Sequence, residues 1–330
     1  MNLTFFEPSK RGGFDLILAV CGYESRSRHM LDVRRDVSSR KVAVGYAAGE
    51  EAAFEENQAA FCAAGFSFES VPDYAYETYI ESLVRSVRNS NAEAIKVLID
   101  ISCFTRLRLA QTVEALFESG PFELEVFYSL ASFSKPPIEE PQNEYLCPVT
   151  EYLSGWTGDA EKAVVLLSGL GYEQMMALGI IEHIDPYDLW LFSPSSPIKS
   201  YDDEVLSANR LLISSVSDSN IIGYPVMQGD VVLAKLLSLV DSVRGEFRCM
   251  LMPLGPKVFA FACMVVGCIY RDVSVWRASA GIHSQPRDRM PSGITSSFRI
   301  SFTAKKLEEA GLDEGARSRV MESDRLIIPE

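Results

Sequence analysis

Short, uninterrupted apolar runs alternate along this chain with stretches whose apolar positions recur at helical spacing. This is the pattern of parallel strands buried on both faces and joined by helices. FDLILAV reads as such a strand, followed by the turn CGYESRSR and helix-compatible sequence. Strand alternating with helix implies right-handed crossovers and helices on both sides of a sheet, so each unit is expected to be a doubly wound, Rossmann-like α/β domain.

The pattern occurs twice. AVVLLSGLGYEQMMALGIIEHI opens the second half as FDLILAVCGYE opens the first, with Gly171, Tyr172 and Glu173 standing 149 positions after Gly22, Tyr23 and Glu24. SLVRSV (82–87) is echoed by SLVDSV (238–243). The strand runs AIKVLID and FRCMLMP lead into DISCFTR and MPLGPK, which place Arg106 and Lys257 151 positions apart. ELEVFYS and DVSVWRA follow, with Phe127 and Trp276 again 149 apart. Four landmarks in one order predict two tandem units related by internal duplication. The competing explanation is two unrelated open sheets that look alike because buried strands share Val/Ile/Leu runs. The expected divisions are a first unit over 1–130, an ordered Pro-rich connector over 131–161, a second unit over 162–280, and a C-terminal strand with a charged tail over 281–330.

Composition narrows the partners. With 47% hydrophobic and 23% charged residues the chain is globular in type, and its length of 330 suits two domains. A formal net charge of -14 opposes broad nucleic-acid binding, but a small anion needs only a few local cations or amides. Seven cysteines without a CxxC pair suggest neither disulfide framework nor zinc ribbon, and hence a reducing compartment. The first residues lack the apolar core of a signal peptide, and the most apolar run, 258–270, is shorter than a membrane span. A cytoplasmic location without membrane association is expected.

Ligands of open α/β sheets collect outside the carboxyl ends of the strands, where helix N-termini and loop amides converge. The first unit offers Tyr23, Glu24, Ser25 and Arg26 in one such loop, and Asp100, Ser102, Cys103, Thr105 and Arg106 in another. Arg26 and Arg106 suit an anion, Ser102 and Thr105 can orient it, and Tyr23 or Tyr172 can stack on a base. The bland alternative is an internal Asp100–Arg106 or Glu24–Arg106 ion pair. The second unit offers Tyr172, Glu173, Gly255 and Lys257, a thinner set, in which Gly255 permits close backbone approach and Lys257 is a point charge.

DISCFTR resembles the DLTGGTK-type motif of CARF domains, with Asp100, Ser102, Thr105 and Arg106 at the positions of Asp, Thr, Thr and Lys. MPLGPK matches through Gly255 and Lys257 alone. Two such folds in one chain also resemble SAVED domains, which derive from CARF domains and sense cyclic oligonucleotides in bacterial defence. The first copy has Cys103 and Phe104 in place of the motif's glycines, and the second lacks its acid and hydroxyls. The resemblance implies sensing of a nucleotide or other phosphorylated small molecule, with the signal passed to an effector protein. Arg277 and His283 have a spacing like that of HEPN ribonucleases but follow a strand, which opposes that role.

Two catalytic readings stand beside sensing. Glu24 and Asp100 could act as acid and base in hydrolysis of a nucleotide or its glycosidic bond. Cys21 or Cys103 could be a nucleophile with a lowered pKa, with His29, expected near the outer face of the first helix, as base. A further alternative is a non-catalytic interaction subunit. No metal cluster is visible around His29, His183 or His283, and no cofactor is expected.

Overall fold

Leu16–Cys21 is a strand buried along its whole length, as its uninterrupted apolar run requires. Leu16, Leu18 and Val20 face one side of the sheet and Ile17, Ala19 and Cys21 the other, so both sides carry a helical layer. The computed structural model describes residues 2–6, 13–46, 51–89, 94–135, 145–155, 161–172, 174–279 and 287–303.

The first half contains β1 (Asn2–Phe6), β2 (Gly13–Phe14), β3 (Leu16–Cys21), α1 (His29–Val33), β4 (Val37–Ser38), β5 (Lys41–Tyr46), α2 (Phe54–Ala63), β6 (Ser67–Val71), α3 (Asp73–Asn89), β7 (Ile95–Asp100), α4 (Arg106–Glu118) and β8 (Phe122–Ala131). The second contains β9 (Tyr145–Pro148), β10 (Val164–Gly169), α5 (Gln174–Ile184), β11 (Asp188–Ser195), α6 (Lys199–Ala208), α7 (Arg210–Ser214), β12 (Ile221–Pro225), α8 (Gly229–Val243), β13 (Arg248–Met252), α9 (Lys257–Ile269), β14 (Ser274–Ser279) and β15 (Pro291–Thr303).

The parallel strands run β6-β5-β3-β7-β8 in one sheet and β12-β11-β10-β13-β14 in the other. The two orders are identical, with the first strand of each unit in the middle, so the chain is a tandem pair of doubly wound Rossmann-like sheets. The sequence echoes fall at matching places. Gly22 and Gly171 lie just past β3 and β10, and SLVRSV and SLVDSV lie in α3 and α8. Arg106 and Lys257 each begin the helix after the fourth strand, preceded by the N-caps Thr105 and Pro256.

Antiparallel strands extend both sheets across the expected boundaries. β9, from the 131–161 stretch, pairs with β14, while β15, from the 281–330 stretch, lies between β8 and β1 of the first sheet. The chain therefore returns from the second unit to the first. Glu125 of β8, fully buried, holds that return by accepting from Arg34 after α1 and from Arg299 of β15, the latter at 3.0 Å.

The units share a core. α4 packs against α9, with α3 and α8 alongside. α9 is buried at every position from Val258 to Cys268, and Phe261 meets Phe298 of β15 at 5.7 Å. A helix apolar all round must be enclosed, and each large side chain so buried contributes roughly 1.5–3 kcal/mol. The most apolar run of the sequence is thus the junction of the two units. Among the described residues, no helix is long and apolar enough to cross a membrane.

Candidate functional site

In each sheet the order reverses between its first and fourth strands, β3 and β7 in one, β10 and β13 in the other. The carboxyl ends of these four strands border a single cavity of about 230 Å³. Glu24 and Arg26 follow β3, and Arg106 follows β7. Gly171 and Tyr172 follow β10, while Gly255 and Lys257 follow β13. This is where open α/β sheets bind ligands, here with two such crevices facing one space.

Glycines let the two second-unit loops meet. Gly255 has φ +73°, a left-handed conformation that glycine adopts without strain, and a Cβ there would lie 2.2 Å from the Leu170 carbonyl oxygen. Arg106 crosses between the units, its Nε donating to the Pro253 carbonyl at 2.5 Å. The first turn of α4 thus carries a cation against the macrodipole and uses it to tie the loops together.

Of the twelve residues expected to bind ligand or to act as acid and base, six line the cavity: Glu24, Arg26, Arg106, Tyr172, Gly255 and Lys257. Arg26 is buried and donates to Glu24 Oε2 at 2.5 Å and to the Ser129 carbonyl at 3.3 Å. Lys257 is half-buried. Burial, with Arg106 and Arg26 beside it, pushes its amine down to about 7, against the opposing effect of Glu24.

Five others do not line it. Tyr23 is half-buried, and its carbonyl accepts from the Ala53 amide. Ser25 turns outward, its amide and hydroxyl both donating to Asp288, at 2.6 and 2.7 Å. Asp100 is buried behind the wall, where Oδ1 accepts from the amide and hydroxyl of Ser102 at 2.9 and 2.5 Å. Burial pushes its carboxyl up to about 6, with the Ser102 bonds opposing. Ser102 in turn accepts from the Ser129 amide at 2.8 Å, which locks β7 to β8. Thr105 caps α4, accepting from the Arg108 amide at 3.3 Å. The twelfth, Glu173, lies outside the described residues, as does His283.

Two expectations about cysteine chemistry are overturned. Cys21 and Cys103 have thiols raised rather than lowered in pKa, Cys21 to about 12, because burial outweighs any nearby cation. His29 does not lie near an outer face. It is buried, with Nδ1 2.8 Å from Ser129 Oγ, because α1 is little more than a turn and its first residue faces the sheet. Among the described residues no group of three or more His, Cys, Asp or Glu is placed to hold a metal.

The cavity also has walls that no sequence motif marks. Tyr128 comes from β8, Tyr201 and Asp202 from α6, and Arg289 from the segment before β15. Tyr201 stacks on Tyr172 at 5.8 Å and 16°, and its hydroxyl is 3.2 and 3.1 Å from the Ala131 and Ser132 carbonyls. The strand-end rule applied to LWLFSPS would have pointed to Asp202. Nothing local distinguishes Arg289. The set as a whole combines four cations, three tyrosines and the acids Glu24 and Asp202, suited to an anion attached to a planar or sugar-like body.

No protein-family model matches this chain, and no curated protein does. One solved structure, that of UDP-GlcNAc 2-epimerase from Neisseria meningitidis bound to UDP-GlcNAc, is similar over 72% of this chain and 76% of its own, at 12% identity and a TM-score of 0.21. A likeness of that degree shows neither fold nor ligand.

Proposed function

We propose that the cavity between the two units binds a nucleotide-type anion and that the chain is a ligand sensor, cytoplasmic, whose occupied state is read by a partner protein. One observation carries this reading: a single cavity at both switch points, with Arg26, Arg106, Lys257 and Arg289 converging on it from both halves of the chain. The resemblance of DISCFTR to the CARF motif supports a place in a bacterial defence or signalling system. The volume of about 230 Å³ is below the ~300–1,000 Å³ of ordinary small-molecule pockets, which favours a mononucleotide-sized ligand over a cyclic oligonucleotide.

Hydrolysis is the second reading, favoured by Glu24 on the cavity wall. Against it, Glu24 is engaged by Arg26, and Asp100 is turned to Ser102 behind the wall. The experiment is isothermal titration calorimetry with mono-, di- and cyclic oligonucleotides, alongside chromatography of the same mixtures. Binding without turnover supports sensing. Turnover lost in Glu24→Gln and Asp100→Asn supports hydrolysis, and no heat with any member removes the sensing reading.

Lys257 gives the binding a pH dependence of definite sign. With its amine near 7, the charged form predominates below that pH and is lost above it. An anion favours the charged form, so binding at pH 7–8 takes up a proton. Affinity should fall between pH 7 and 8.5, where a phosphate is already fully ionised, by up to about tenfold per pH unit. Heats should vary with the buffer's ionisation enthalpy, and both effects should vanish in Lys257→Met. A flat wild-type profile would remove Lys257 from the anion site.

A further inference from the structure

The wall's cations and its uncommitted acid follow different strands, and this gives a bound ligand a direction. Its cations Arg26, Arg106 and Lys257 follow β3, β7 and β13 and Arg289 precedes β15, with Glu24 already paired to Arg26, whereas Asp202 lies in α6, after β11. β10 separates β11 from β13, so the acid and the lysine emerge two strand spacings apart, roughly 10 Å. A phosphate drawn to Lys257 and its neighbour Arg106 is kept away from Asp202.

What Asp202 itself can bind follows from its free capacity. Oδ1 accepts from the Ser196 amide at 2.7 Å, and Oδ2 has no hydrogen-bond partner among the described residues. A carboxylate only accepts, so its complement on a ligand is a hydroxyl or amine donor. In doubly wound sheets the turn after the first strand meets the phosphates, and an acid near the end of the adjacent strand accepts from the ribose hydroxyls. β10 with its Gly171 turn and β11 with Asp202 stand in that relation. At the corresponding strand ends of the first unit, Arg108 donates to the Gly45 and Val71 carbonyls at the ends of β5 and β6.

We infer that Asp202 is the sugar-recognition residue, accepting from a ribose hydroxyl, so that the ligand is a ribonucleotide lying with its sugar on the second unit and its phosphate toward the cations. This rests on the nucleotide-binding reading above and adds to it an orientation and a discrimination against deoxyribose. The complementary half of the site, expected from the repeat to be the poorer one, supplies the specificity.

The test uses the full chain and titration calorimetry. The tightest-binding ribonucleoside 5′-phosphate is compared with its 2′-deoxy and 3′-deoxy forms. At least one deoxy form should bind roughly 10- to 100-fold more weakly, the effect of losing a hydrogen bond to a charged group. In Asp202→Asn that ratio should shrink to about 3-fold or less, with the deoxy form bound at least as well as by the wild type. The wild-type comparison needs no variant, so a poorly folding substitution leaves the result intact. Wild-type binding of all three forms within about 2-fold overturns the inference while nucleotide binding stands. Absence of binding by every nucleotide removes both.

Discussion

Exchange of Arg108 for methionine should lower the free energy of unfolding by about 3–5 kcal/mol, read as a reduced midpoint in urea at unchanged slope. Among the described residues, Arg108 is the largest fully buried side chain. Its Nε donates to Asp73 at 2.7 Å, and its two terminal nitrogens donate to the Gly45 and Val71 carbonyls at 3.1 and 2.5 Å. Its guanidinium lies 4.0 Å from the Tyr46 ring centroid and 4.7 Å from that of Tyr76. Methionine fills much of the volume but leaves both buried carbonyls without that donor, and each such loss costs about 1–3 kcal/mol. Asp73 is half-exposed and can be rehydrated, so its share is small. Arg108→Lys should recover less than half, because an ammonium cannot reproduce the planar fork. A loss under about 1 kcal/mol in the methionine variant would show that the loop ends hold without this residue.

Gly255→Ala should be nearly as damaging and should also abolish ligand binding. The φ of +73° costs any other residue about 1–2 kcal/mol, and the new Cβ would stand 2.2 Å from the Leu170 carbonyl oxygen and 2.9 Å from its carbon. The obstacle is backbone, so it yields only if the loop after β10 moves away from the loop after β13. These loops carry Tyr172 and Lys257, so the cavity opens as they part. A total loss of about 3 kcal/mol or more is expected. Gly65→Ala separates the two contributions, since Gly65 has φ +80° with nothing within 4 Å of where its Cβ would stand, and it should show the strain alone. Equal destabilisation by the two substitutions would remove the steric contribution and with it the predicted loss of binding.

Fold and duplication were legible along the chain because buried parallel strands need continuous apolar runs, and a repeated unit needs them in the same order. Leu16–Cys21 and Val164–Gly169 are visible for that reason, as are Arg106 and Lys257 at matched helix starts. The strand-end rule similarly brought out Glu24, Arg26, Tyr172 and Gly255, because it depends on topology that the pattern already implies. It could not say which way a side chain turns once there. Asp100, Ser102 and Ser25 occupy the expected loops but spend their hydrogen bonds on neighbours, a choice made by residues as distant as Ser129 and Asp288.

Tertiary structure alone decided the rest. That β15 returns to the first sheet, and so carries Arg289 to the cavity, depends on pairing with β8 across more than 160 residues, which no local pattern records. The Cys21 and Cys103 thiols, the Asp100 carboxyl and the Lys257 amine owe their shifted pKa to burial by packed elements, which local sequence does not record. The placement of Asp202 in one cavity with the cations likewise exists only when both sheets present their carboxyl ends to one space. Sequence determined two similar units and the edges where chemistry collects, because periodicity is local. Only packing decided which polar groups face the cavity and which lie behind its wall.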